Sequence, residues 1–301
     1  MNHPYTNLGY AQSLAGPDQI VVSETLGVPL RLRVIPGSDL MDAAGIYPIS
    51  PNLRKPPPAD LKVELQRMGA VTLVLVSDPL VPVSPSSLFD ILRPYKPHHV
   101  IDHSVGPANY SKHHRAEVRR ARRKCTARQI NLADHLKDFT GLYDVLIGRH
   151  GLAKMHRFDA AHFAHLAANP QAFPTFGAFV DSRLVSAHIW ARDDTLDGAY
   201  AYSHLAASDD EGYATGAAYA VNDEAIRSMR DCKMITLGGA PDGATGDGLD
   251  RFKRGFANTT LTSFLCGVIA EPTAYNALSS RIERSSRQAF FPIYRQPLPP
   301  H

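Results

Sequence analysis

Cysteine is scarce and dispersed in this 301-residue chain. Cys125, Cys232 and Cys266 are odd in number and share no CxxC spacing, which excludes a disulfide framework and a cysteine-based metal or redox motif. They are expected as thiols in or near the core. Long apolar runs are missing too: the longest, "AVTLVLV" at 70–76, has Thr72 inside it and the length of a strand, not of a bilayer. No membrane insertion is expected. The opening "MNHPYTNLGYAQSLAG" lacks the basic and apolar regions of a secretory signal, so the expected location is the cytoplasm. The sequence shows neither internal repeat nor low-complexity tract. With 44% apolar residues it can bury a real core.

Concentrated charge is scarce as well, with one exception. Lys112, Arg115, Arg119, Arg120, Arg122, Arg123, Lys124 and Arg128 stand against Glu117 alone, although the net charge of the chain is only +3. The remainder is acidic on balance, so the protein has one basic element and not a basic surface. Ser111 can cap a helix over "SKHHRAEVRRARRKC" at 111–125, whose apolar stripe is no wider than Val118, Ala121 and Cys125. Such a helix lies on the surface. Arg115, Arg119, Arg122 and Arg123 would share one side of it, with Arg120, Lys124 and Arg128 on another. Guanidinium groups match phosphate bidentately. Lys112, Arg115, Arg119, Arg120, Arg122, Arg123 and Lys124 are therefore candidate ligands for phosphate or tRNA, the other reading being an inert solvated helix. No aromatics interleave with them, so base reading is not expected here.

The first part of the chain is rich in proline: "NLRKPPPAD" at 52–60 and "DPLVPVSPSS" at 78–87 read as surface connections. Leu61, Leu65 and Met68 sit at helical spacing, Gly69 supplies a stop, and a buried strand follows at 70–76. "LRLRV" at 30–34 and "HHVID" at 98–102 suggest further strands. From Leu132 to Leu146 the apolar period predicts a core-facing helix over 131–149, and Asp159 can cap a short helix carrying Phe163 and Leu166. The period then changes to two. "TFGAFV" and "LVSAHIWAR" flank "DSR" as a hairpin, and "DGAYAYSHLA" at 197–206 continues the meander. A helix to about Arg230, the strand "KMITLGG", a short helix or turn at "DGLDRFKRGF", the strand "LTSFLCGVI" and a last helix over "EPTAYNALSSRIERSSRQA" complete an α/β order.

Two phrases in that order carry a resemblance. "LGGAPDGATGDGLDRFKRGF" at 237–256 and the "SKHHR…RRA" helix resemble the FemAB-like branch of the GNAT acyltransferase superfamily, with Gly248, Leu249, Phe252, Lys253, Gly255 and Phe256 matching its Gly-rich, "GL", "FK", "GF" succession. "DAAGIYPISPNL" at 42–53 looks like a weakened form of the branch's "YGYPGP" stretch. The resemblance implies an α/β, GNAT-like fold of two lobes sharing a cleft, here a reduced N-terminal lobe at 1–105 and a catalytic lobe at 106–301. It also implies acyl or aminoacyl transfer to an amine, with Lys253 stabilising the oxyanion. No cofactor is required beyond the acyl donor.

Acyl transfer needs a neutral amine, an activated acyl group and donors aimed at the developing oxyanion. Lys253, flanked by Phe252 and Arg254, is the candidate for that role. His204 has a suitable pKa for taking the amine proton and shares a strand face with Tyr202, although a core histidine is the alternative. Arg149 and His150, at a helix end, could bind an anionic substrate or complement the helix dipole. Asp209, Asp210 and Glu211 precede Gly212 and Gly216 where a coenzyme A pyrophosphate would need a basic turn. That favours aminoacyl-tRNA as donor, with acyl-CoA as the alternative and a non-catalytic tRNA-binding module as a further one. The acceptor expected is an amine of a peptide, a cell-wall precursor or a secondary metabolite. His98, His99, His103, His113 and His114 lack metal-site spacing and read as polar loop histidines, so no metal is expected.

Overall fold

The computed structural model describes residues 3–51, 53, 58–81, 88–150, 158–195, 198–239, 248–280 and 290–296. In chain order its first elements are α1 (Leu8–Ala15), β1 (Ile20–Ser23), β2 (Val28–Val34), β3 (Met41–Gly45), α2 (Pro58–Arg67), β4 (Ala70–Val76) and β5 (Ile91–Asp102). Then come α3 (Lys112–Ala121), β6 (Thr126–Ile130), α4 (Leu136–His150), α5 (Ala160–Ala168), β7 (Thr175–Val180), β8 (Arg183–Asp193) and β9 (Ala199–Ser208). The rest are α6 (Asp210–Thr215), α7 (Ala217–Ser228), β10 (Cys232–Gly239), α8 (Gly248–Arg254), β11 (Thr259–Ile269) and α9 (Pro272–Ser279).

The chain divides into two compact units, one of Tyr5–Tyr95 with Thr262–His301 and one of Met1–Pro4 with Lys96–Leu261. The boundary expected at 105/106 places the C-terminal segment in the second lobe. It groups instead with the N-terminal residues, because β11 pairs antiparallel with β4, Leu265 opposite Val76, and buries Cys266 and Val268 beside Leu73 and Leu75. In this unit β1, β2 and β3 are antiparallel neighbours and β3 runs parallel to β4. Leu61 and Leu65 of α2, both wholly buried, pack into the same core, as their spacing required.

The other unit holds the order β5-β10-β9-β8-β7-β6, antiparallel except for the β9–β10 pair. Asp181 and Ser182 close the β7–β8 hairpin with φ of 45° and 68°, a two-residue turn whose twist matches that of the strands. Side chains of β8 are buried at successive positions, hence on both faces. The covering elements include α7, against β6, β7 and β8, and α4, against β8 and β9. Cys125 and Cys232 are buried in this unit and Cys266 in the other, all three as free thiols.

Several elements differ from expectation. The basic helix ends at Ala121; Arg122–Lys124 form a turn, and Arg128 lies in β6, which pairs with β7. A single 3-10 turn, Leu132–His135, precedes α4, so the helix proper starts at Leu136. The helix expected to reach Arg230 is split by Gly216, at φ 72° in the left-handed region where glycine is favoured. The Gly-rich stretch at 240–247, much of the connections at 52–57 and 82–87, and the last helix beyond residue 280 lie outside the described residues.

Candidate functional site

Lys253 stands where two parallel strands part. The β9–β10 register ends at Tyr202 opposite Thr236, although β9 continues to Ser208 and β10 to Gly239. Gly238, at φ 84°, turns the end of β10, and Lys253 Nζ donates a 2.7 Å hydrogen bond to the Gly239 carbonyl. A β-carbon at residue 238 would come 3.2 Å from that Nζ, so this glycine makes room as well as supplying the turn. Two imidazoles feel the ammonium. Burial first, and then Lys253, push the His98 pKa down to about 3, and the same pair of causes holds His188 at about 3. His188 Nε2 lies 2.9 Å from Ser203 Oγ, and His98 Nδ1 lies 3.5 Å from Thr236 Oγ1. Both rings are neutral at pH 7. A half-buried cation beside neutral groups attracts an anion more strongly than one in water.

The C-terminal turn of α8 is held by an aromatic cluster. Phe252 packs against Tyr219 and Phe256 at ring distances of 4.9 and 5.3 Å, and Phe256 is wholly buried. His114 joins them: its Nε2 lies 2.9 Å from the Phe252 carbonyl, its Nδ1 2.9 Å from Ser111 Oγ, and its ring meets Phe256 edge-on at 4.7 Å. Gly255 lies under that ring, and a β-carbon there would be 1.9 Å from His114 Cε1. The ring cannot swing aside without losing both polar contacts. Gly255→Ala is therefore expected to cost about 1–3 kcal/mol of stability. A urea-denaturation midpoint equal to that of the parent would show that the ring has room to yield.

The other residues singled out from the sequence are more dispersed. Phe252 belongs to the aromatic cluster, and Arg254 is exposed with a guanidinium 3.8 Å from Asp250. Tyr202 is 2% exposed with the His3 ring at 5.0 Å. His204 is buried between Phe173 and His162, at 5.8 and 5.9 Å, and burial holds its pKa well below the usual value. These are the surroundings of a core histidine. Arg149 pairs with Asp210 and stacks on Tyr213 at 4.1 Å, while the His150 side chain lies outside the described residues.

The basic segment separates into two groups. Arg122 is engaged by Asp223 at 2.7 Å and Glu224 at 2.9 Å, and Arg120 by Glu117 at 2.6 Å. Arg115 donates to the Tyr110 carbonyl, and Arg128 covers the Phe179 ring. Lys112, Arg119, Arg123 and Lys124 are exposed and have no ion pair among the described residues. Arg115 and Arg119 also line an open cleft of about 310 Å³ with Asn109, Tyr110, Asp223 and Arg227.

The acidic stretch is not a bare negative patch. Arg183 bridges Asp209 and Glu211, and Arg149 takes Asp210. Asp209 caps α6, its carboxylate accepting from Gly212 N at 2.8 Å. A carboxylate of the chain itself thus occupies an anion position at this helix start.

Sequence reasoning missed the histidines closest to α8. His98 and His99 lie in β5, and His114 in α3, so none of the three is a loop residue. His99 and Asp250 are 6% and 5% exposed, with Nε2 2.8 Å from Oδ1. The signal available was the position of His114 on the buried stripe with Val118 and Ala121. His103 Nδ1 lies 2.6 Å from the Cys232 carbonyl, and His113 is exposed.

No helix among the described residues is long and apolar enough to cross a membrane. No protein-family model matches the sequence, and no curated protein matches it. Solved structures do resemble it. FemX is 12% identical, with a TM-score of 0.60 over 92% of this chain and 95% of that one. The C-terminal domain of a candidate lysylphosphatidylglycerol synthetase from Agrobacterium fabrum is 14% identical, with a TM-score of 0.59 over 90% of each chain. L-PGS from Bacillus licheniformis is 12% identical, with a TM-score of 0.58 over 87% of each. The α/β, GNAT-like architecture expected from the sequence is the fold shared with these structures.

Proposed function

We propose that the protein is an acyltransferase that moves an aminoacyl group, delivered as its tRNA ester, onto an amine of a peptide, a cell-wall precursor or a secondary metabolite. The observation that carries this reading is the Lys253 ammonium, held on the Gly239 carbonyl at the parting of β9 and β10. An ammonium is a donor of hydrogen bonds only, and the bond to the Gly239 carbonyl fixes where this one sits. The amine nitrogen attacks the ester carbonyl carbon, Lys253 donates to the oxyanion that forms, and collapse expels the ribose hydroxyl. The amine proton passes to that leaving oxygen, which suits a site where His204 is buried in the core. Names among the neighbours of similar fold include lysylphosphatidylglycerol synthetase, which is in keeping with aminoacyl chemistry.

A tRNA donor is supported by the exposed cations Lys112, Arg119, Arg123 and Lys124, which offer phosphate contacts without first breaking an ion pair to a described residue. Coenzyme A is disfavoured for a different reason from the one the sequence suggested. Arg149 and Arg183 offset the acids, but the Asp209 carboxylate already occupies the Gly212 N–H that a pyrophosphate would use. Purified protein is incubated with tRNAs charged with radiolabelled amino acids and an extract of small amines and peptides, beside a matched acyl-CoA pool. Label transferred from one charged tRNA is the expected result. Transfer only from acyl-CoA would overturn the donor, and salt-sensitive tRNA binding without turnover would favour a non-catalytic binding module.

A further inference from the structure

α8 carries Lys253, yet with seven residues it is too short to hold its own position. Its place is decided by what tethers it. The last turn is tied to the aromatic cluster through Phe252, Phe256 and the His114 ring. The first turn carries Asp250, whose carboxylate receives His99 Nε2 at 2.8 Å from the neighbouring strand β5, 151 residues earlier in the chain. Both side chains are more than nine-tenths buried. A carboxylate only accepts, so Nε2 carries the proton in this bond. His99 Nδ1 has no hydrogen-bond partner among the described residues, so Asp250 is the polar contact that fixes the ring.

We propose that His99 and Asp250 form a positioning pair for Lys253. Asp250 and Lys253 are three residues apart and therefore project on the same side of the helix. Holding Asp250 on β5 sets the rotation of α8 at which Nζ meets the Gly239 carbonyl. Released at its first turn, the helix can pivot about the aromatic anchor and carry the ammonium away from β10. Neither residue need touch a substrate, and the inference holds whichever acyl donor the protein uses.

The test reads Lys253 directly. Protein is treated with a limiting amount of an amine-acylating reagent, and labelling at Lys253 is followed by mass spectrometry relative to exposed Lys137. His99→Leu is expected to raise the relative labelling of Lys253 about tenfold, the equivalent of one lost charge-assisted hydrogen bond. His99→Gln, whose amide can donate from a similar place, should stay within about twofold of the parent. If His99→Leu does not fold because it leaves a buried carboxylate alone, the double variant His99→Leu/Asp250→Leu removes both polar partners, and the same rise is expected in it. Unchanged Lys253 labelling in a folded variant lacking the pair would overturn the proposal, as would a rise of equal size in His99→Gln. Neither result depends on turnover, so the acyltransferase reading stands or fails separately.

Discussion

Replacing Lys253 by methionine is expected to lower kcat/KM for transfer by about 10²–10³-fold, the usual consequence of removing one preorganised oxyanion donor. Methionine keeps the apolar stem and removes only the charge and its donors. The bond from Nζ to the Gly239 carbonyl is partly buried, and its loss is expected to cost about 1 kcal/mol of stability. Lys253→Arg is not expected to rescue. The room beside Nζ is limited, Gly238 lying where a β-carbon would be 3.2 Å away, and a planar guanidinium is larger than an ammonium. The measurement is transfer from the donor identified above, with circular dichroism to confirm the fold. Full turnover by Lys253→Met would remove the residue from the mechanism.

Acid should destabilise the protein well before its carboxylates titrate. Burial holds His3, His98 and His188 at about 3 and His162 at about 4, against an ordinary value near 6.5. His162 has Asp159 as an opposing influence and His165 as a reinforcing one, yet burial dominates. The folded values lie below the unfolded one, so as pH falls through about 6.5 the unfolded chain takes up protons that the folded chain refuses. The stability these rings allow is complete above that pH and is lost progressively below it. Each ring contributes up to about 1.4 kcal/mol per pH unit over the roughly 1.5 units between 6.5 and 5, so between pH 7.5 and pH 5 the four together are expected to remove up to about 8 kcal/mol. That is comparable with the whole stability of many domains. Urea midpoints at the two pH values test it, and His162→Phe should flatten the dependence. A midpoint that does not move over this range would mean that the rings reach protons without unfolding.

Features settled by near neighbours in the chain were legible. Ser111 and Asp159 cap their helices as expected, accepting from His114 N and His162 N, because a cap bond spans only three residues. The "DSR" turn closes its hairpin, and strands β2, β4, β9, β10 and β11 lie where period or apolar run put them. β1, β3, β6 and α1 were not foreseen. β6 reads "TARQI", with no apolar alternation, and is a strand because it pairs along β7. The basic helix is shorter than its sequence implies for the same reason: neither glycine nor proline marks its end, and the pairing of Thr126–Ile130 is a tertiary event.

The sequence by itself determined the α/β order, the FK phrase with Lys253, and one segment of concentrated positive charge, since composition and short-range periodicity are properties of the chain alone. Only the tertiary structure decided which cations remain available, because Asp223 and Glu224, about a hundred residues from Arg122, are brought to it by the packing of α7. It likewise placed Arg183 on Asp209 and Glu211, and His99 on Asp250. Ion pairs and buried hydrogen bonds act over a few ångströms in space, whatever their separation along the chain, and that distance is set by strand order and helix packing.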